Sequence, residues 1–473
     1  MLQREAFYWG CGEMKTVFAN QRFVVLALGL VFVGSTALAQ VPQLSSRPGA
    51  AYTLFLNYAG FNFTGRWGGG ATDPTPGNTP AYSIDGNTGA FSAEELTNIR
   101  LSWARTAEKY VGFNINVTTV DPAIAAGQAG SDFSRQAYYD STARLMHTVI
   151  GGTGSWAGGG GISYIGTTAN SYAVSGFNSG AGRGFKTNWS FMGPSFGWAW
   201  DPQFVGEVTA HENGHGLNAG HQSDFNGGTF VNEYSSGSGI GNGSYAPIMG
   251  NSYSSQRGTW RIGDTPVGQN NTRATQNDVN NIAANNGLDF VDSGVGHTFA
   301  TSTPLAIASG SVDPQMAKGH INPITENNPS AIGEDSYTKD VFAFRSTGGQ
   351  VNLRLNNGNQ LLQLANNAAD PGATLRSRLR IFDSFGNLVA NGIEDSSTLF
   401  TTYSGNLSAG NYYAQVSSFG GFQYAGSFNN NQYFDMGSYF LTGSGSLAMV
   451  PEPATLAALG LGALALMRRR RKS

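Results

Sequence analysis

Residues 211–221 read His-Glu-Asn-Gly-His-Gly-Leu-Asn-Ala-Gly-His and hold half of the six histidines in 473 residues. On a helix, residues four apart share a face, so His211 and His215 can turn their imidazoles to one point. Glu212 rotates to the side of that face, within reach of a water held there without being a ligand itself. The helix cannot run on to His221, because Gly216 and Gly220 weaken it and Asn218 is among the few non-glycine residues that tolerate a left-handed turn. The chain therefore turns back, and His221 supplies a third nitrogen. Three neutral imidazoles and an open fourth position suit a catalytic zinc, whose bound water has its pKa lowered towards ~7.

Downstream, Tyr245-Ala246-Pro247-Ile248-Met249-Gly250 places a methionine in a tight turn. Together the two segments resemble the metzincin zinc peptidases, whose signature is His-Glu-x-x-His-x-x-Gly-x-x-His followed by a Met-turn. Asn218 stands where that family usually has glycine, and asparagine is the substitution that costs a left-handed turn least. The resemblance implies Zn2+ on His211, His215 and His221, Glu212 as general base, and Met249 as an apolar floor under the metal. Several metzincins carry a tyrosine two residues after that methionine. Here the position is Asn251, and the nearest tyrosine, Tyr253, is the candidate transition-state stabiliser.

Both ends carry targeting features. Lys15 and Arg22 precede an apolar run over 23–33 and the small-x-small site Ala37-Leu38-Ala39, so residues 1–39 read as a secretory signal peptide, with Met14 as an alternative start. At the other end, Pro451-Glu452-Pro453 leads into residues 454–467, apolar apart from Thr455, and then the basic cluster 468–472. A helix over that run is about 21 Å long at 1.5 Å per residue, short of a ~30 Å hydrocarbon core. Residues 450–473 resemble the PEP-CTERM sorting signal of Gram-negative bacteria, which implies an exosortase-type partner and a transient membrane anchor by a short transmembrane helix. The only cysteine, Cys11, lies within the first segment. The exported chain then has neither disulfides nor a thiol that could cap the zinc. Removing both ends takes away more basic than acidic groups from a chain already at −3, so no basic surface remains for nucleic acid.

Between these ends, residues 52–58 alternate as a first strand. Ser92 and Glu95 form a capping box for a helix over 93–111, with Leu96, Ile99, Trp103, Ala107 and Tyr110 at helical spacing. Phe113, Ile115 and Val117 alternate in a further strand, and residues 148–150 and 162–165 read as two more. Under the family resemblance, the stretch near 161–168 is the edge strand that an extended peptide substrate would join. The glycine run 158–161 reads as a turn. Thr275 is expected to cap a last helix running to Ala284, with Val279 and Ile282 inward and Gly287 as its stop. His147, His297 and His320 lack partners at metal spacing and read as ordinary histidines. Asp201, Asp224, Glu233 and Asp264 are candidates for structural Ca2+.

From residue 298 on, short alternating segments at 341–344, 351–355, 379–381, 388–389 and 412–416 are separated by Gly, Asn and Asp turns, which predicts a β-sandwich. The phrases Leu379-Arg380-Ile381-Phe382-Asp383-Ser384-Phe385-Gly386-Asn387 and Leu407-Ser408-Ala409-Gly410-Asn411-Tyr412-Tyr413 resemble the pre-peptidase C-terminal domain of secreted bacterial peptidases. The expected fold is thus an α+β metzincin-like domain over 40–292, with a mixed sheet, a zinc-binding helix and a Met-turn, followed by an all-β sandwich over 298–446. The expected function is an exported zinc endopeptidase acting on proteins or peptides at the cell surface. The competing expectation is a non-catalytic adhesin of the surface or exopolysaccharide matrix, with a vestigial zinc site.

Overall fold

The computed structural model describes residues 40–68, 71–128, 130–167, 185–192, 201–322, 338–358, 370, 372–418 and 432–450. The expected signal peptide and the sorting tail lie outside these residues, apart from its first position. Strands Tyr52–Asn57 (β1), Ile115–Thr118 (β2), Leu145–Ile150 (β3), Gly161–Ile162 (β4) and Thr187–Ser190 (β5) form a sheet in the order β2-β1-β3-β5-β4. The first three and β5 are parallel, while β4 lies antiparallel to β5 at the edge, with Ile162 opposite Trp189. Parallel strands are covered on both faces and so need apolar residues on both. In β1, Tyr52, Leu54 and Leu56 enter one core with Ile115, Val117, Met146 and Ile150, and Phe55 enters another with Leu145, Val149 and Trp189.

Helices Ala93–Lys109 (α1) and Pro202–Gly216 (α2) cover the first face. The capping box at the head of α1 is present, with Glu95 N donating to Ser92 Oγ at 3.2 Å and Ser92 N to Glu95 Oε2 at 2.7 Å. After α2 come a hairpin of Asp224–Asn226 (β6) and Thr229–Asn232 (β7), then the parallel pair Gly241–Pro247 (β8) and Ser255–Thr259 (β9). A second hairpin joins Arg261–Val267 (β10) to Thr272–Asn277 (β11), and the helix Asp278–Ala283 (α3) follows.

Two local expectations shift. Thr275 does not cap α3, because the β10–β11 ladder places it opposite Asp264; Asn277 is the cap, its side chain accepting from Asn280 N at 3.0 Å. Strand pairing at the sheet edge stops at Ile162, since the chain then turns to meet the end of α2, Gly166 N donating to His215 O at 2.8 Å. Val279 and Ile282 are buried, and Gly287 ends the helical run in the left-handed conformation.

The C-terminal part is a β-rich, sandwich-like sheet built on Lys339–Asn357 (β12), with Ser377–Asp383 (β13), Phe400–Leu407 (β14) and Gly410–Ser418 (β15). The first half of β12 pairs with β15 and the second with β14, the change falling at Gly348 and Gly349, whose φ values of 94° and 124° suit only glycine. Phe342, Phe344, Val351, Leu353, Leu355, Leu379 and Ile381 fill its core. The last strands, Gln432–Tyr433 (β16) and Gly437–Ala448 (β17), tie it to the rest: β16 pairs with β10, and Phe434 and Met436 enter the core beneath α1. The described residues form one compact unit. Among the described residues no helix is long and apolar enough to cross a membrane.

Candidate metal centre

Asp201 caps α2 by accepting from Gln203 N at 2.8 Å, and Pro202 occupies the first helical position, where a missing N–H costs nothing. From Phe204 to Gly216 the helix is buried all round. Glycines allow this: a Cβ on Gly206 would stand 2.9 Å from Arg105 Cβ, and one on Gly214 would stand 2.5 Å from Met249 Sδ. One turn before His211, Glu207 sits between Arg105 at 2.6 Å and Lys109 at 3.0 Å. Burial raises its pKa, but the two cations outweigh that and hold it below the usual range. This ionised cluster fixes α2 to α1 beneath the histidines.

The helix ends as its sequence requires. Asn218 adopts φ 78°, Ala219 N donates to Gly214 O at 2.9 Å, and the reversed chain brings back His221. One side-chain nitrogen from each of His211, His215 and His221 lies within 4.8 Å of the others, and among the described residues this is the group of His, Cys, Asp or Glu that could hold an ion.

Each imidazole is oriented through its other nitrogen. His211 Nδ1 donates to Ile248 O at 2.7 Å, His215 Nδ1 to Ala219 O at 2.7 Å, and His221 Nδ1 to a Glu233 carboxylate oxygen at 2.8 Å. Carbonyl and carboxylate oxygens only accept, so each Nδ1 carries the proton and each Nε2 keeps a bare lone pair. His215 Nε2 and His221 Nε2 face each other at 3.1 Å. Two lone pairs at that distance repel unless a cation lies between them, and two nitrogens at ~2.05 Å from a tetrahedral zinc stand about 3.3 Å apart. The residues therefore fit such an ion. Burial, reinforced by the neighbouring imidazoles, pushes His211 down to about 3 and His215 well below the ordinary range, keeping both neutral as ligands must be.

Glu212 is 5% exposed, and burial raises its carboxyl well above the ordinary range. Met249 is fully buried beneath Gly214, and the preceding carbonyl is the one that holds His211, so this turn both packs against α2 and orients one histidine. The ring of Tyr253 packs on Phe204 at 5.1 Å, and its hydroxyl is raised by burial and then by the nearby Glu212.

Two groups that sequence reasoning assigned no part in the site stand here as well. The ring of Tyr234 lies 4.6 Å from His221 and 6.2 Å from His211, with 38% of the residue exposed, so it faces the open side. Burial, then Glu233 and Glu212, push its hydroxyl up to about 12. Glu233, considered for calcium, is engaged with His221. The pair Glu233-Tyr234 between the third histidine and the Met-turn was the available signal. Of the other acidic candidates, Asp201 caps α2, Asp264 pairs with Arg273 at 2.9 Å, and Asp224 lies in β6. The remaining histidines lie elsewhere: His147 stacks on Phe55, His297 donates to Lys339 O, and His320 Nε2 donates to Val291 O.

Comparison with known proteins bears on the C-terminus. Residues 450–472 match the family model described as the PEP-CTERM protein-sorting motif. That motif marks the chain for export and C-terminal anchoring, with an exosortase-type sorting enzyme as the partner that reads it. Among solved structures, the pre-peptidase C-terminal domain of a collagenase from Bacillus anthracis matches at 15% identity and a TM-score of 0.16, covering 27% of this chain and 85% of that one. No curated protein matches the chain.

Proposed function

We propose that this chain is an exported, metzincin-like zinc endopeptidase, held at the surface of a Gram-negative bacterium through its C-terminal segment. The observation that carries the reading is the convergence of three Nε2 lone pairs, each freed by an Nδ1 proton donated elsewhere, beside the buried carboxylate of Glu212. When bound on His211, His215 and His221, zinc would supply Lewis acidity toward the scissile carbonyl and a water of lowered pKa.

The chain's own groups do the rest. Glu212 accepts a proton from the attacking water at its carboxylate and returns it to the leaving amide nitrogen, a task suited to a carboxyl whose affinity for protons burial has increased. An extended substrate would pair with the edge of β4 that has no partner strand among the described residues, the other edge being taken by β5. Tyr234 and Tyr253 are the hydroxyls available to the developing oxyanion. The adhesin reading is disfavoured because a vestigial site has no use for a buried carboxylate or for three ordered Nδ1 acceptors.

The test separates ligand from base. Glu212→Gln should keep zinc at about one per chain while cleavage of unfolded casein falls at least ~10²-fold. His221→Ala should lose the metal, because two imidazoles and water hold it poorly. A fully active Glu212→Gln protein would end the peptidase reading.

A further inference from the structure

The sheet edge and the candidate base touch through a missing side chain. A Cβ on Gly160 would stand 3.3 Å from the Phe204 ring and 3.9 Å from Val208 Cγ2, whereas one on Gly161 would stand 2.4 Å from Glu212 Oε1 and 2.7 Å from its Cγ. Phe204, Val208 and Glu212 are spaced by four and make one stripe along α2. The chain at 160–161 thus lies directly on the stripe that ends at the metal site.

It is held there from behind. Phe191 N donates to Gly160 O at 2.8 Å, Gly161 pairs with Ser190, and Ser190 Oγ accepts from Thr209 Oγ1 of α2 at 3.0 Å. The backbone is fixed on two sides, whereas the buried Glu212 side chain can turn about its own torsions. If the contact is crowded, Glu212 yields and the strand does not.

We propose that Gly161 is a positioning residue, whose bare Cα sets where the Glu212 carboxylate stands beside the triad and how close the substrate-bearing edge comes to it. The proposal rests on reading Glu212 as the general base. Displacement of a reacting group by about 1 Å costs on the order of 10²-fold in rate, so one methyl group is enough to matter.

The experiment compares Gly161→Ala, Glu212→Asp and the double variant in the full exported chain. Gly161→Ala should keep wild-type zinc content and a cooperative melt, and lower kcat on an unfolded casein peptide by ~10- to 100-fold with KM little changed. Glu212→Asp removes one methylene, the room that the added methyl takes. The double variant should therefore be more active than the product of the two single losses predicts.

The cobalt-loaded protein gives a readout that needs no turnover: Gly161→Ala should alter the visible cobalt absorption in the same direction as Glu212→Gln. A wild-type kcat, strictly multiplicative losses, or an unchanged cobalt spectrum would overturn the proposal. If the wild-type protein cleaves nothing, the peptidase reading fails by itself, and the cobalt spectrum still decides the part about Gly161.

Discussion

Glu233 accepts from His221 Nδ1 at 2.8 Å, and the two residues stand on either side of the β6–β7 hairpin. Ser223 Oγ donates to Glu233 O and Ser235 N to Gln222 O, so the hairpin closes on itself next to the site. His221 is the least buried of the three histidines and sits in the irregular segment between the turn at Asn218 and β6, where its ring needs this carboxylate to hold one orientation. Glu233→Ala should weaken zinc affinity by ~10- to 100-fold, measured by competition with a chelator, and leave the fold intact. An unchanged affinity would show that the turn alone orients His221.

Under the proposed function, Tyr234 and Tyr253 are the two candidates for oxyanion donor. Tyr234 faces the open side over His221, whereas Tyr253 is packed on Phe204. Tyr234→Phe should lower kcat by ~10-fold or more with zinc content unchanged, and Tyr253→Phe should cost less. The reverse order would assign the role to Tyr253.

The junction between α1 and the C-terminal part contains a titratable clasp. Glu108 accepts from Ser438 N at 2.8 Å, from Ser438 Oγ, and from Thr374 Oγ1 at 3.3 Å. Burial raises its carboxyl from an ordinary 4.5 to about 7, the Ser438 hydrogen bonds opposing and Asp370 adding to the rise. The folded protein therefore keeps a proton that the unfolded chain releases. The contribution of this carboxyl to stability is fully present below pH ~4.5, falls as the pH rises towards 7, and amounts to on the order of 3 kcal/mol in all. Glu108→Gln stays neutral throughout, so its melting temperature should lose less than wild type between pH 4.5 and 7. Parallel pH profiles for the two proteins would show that Glu108 ionises freely in the fold.

Several features were legible in the sequence because they depend on neighbours along the chain. The spacing of His211 and His215, the turn at Asn218, the capping box at Ser92 and the alternation of Phe342 with Phe344 all follow from local backbone geometry. The sorting motif is likewise a linear signal.

What only the tertiary structure decided depends on contacts between distant segments. Ile248 O orients His211, Glu233 orients His221, the ring of Tyr234 lies beside His221 and His211, and the bare Gly161 leaves room for Glu212. A strand's length is likewise set by its partner: β4 ends at Ile162 because the chain leaves to meet His215, and Thr275 stays in a ladder because Asp264 lies opposite it. The entry of Phe434 and Met436 into the core under α1 is the plainest case, since no local pattern tells an apolar residue which of the three cores will bury it. Hydrophobic burial is non-directional, and the choice falls to whichever surface the folded chain leaves uncovered.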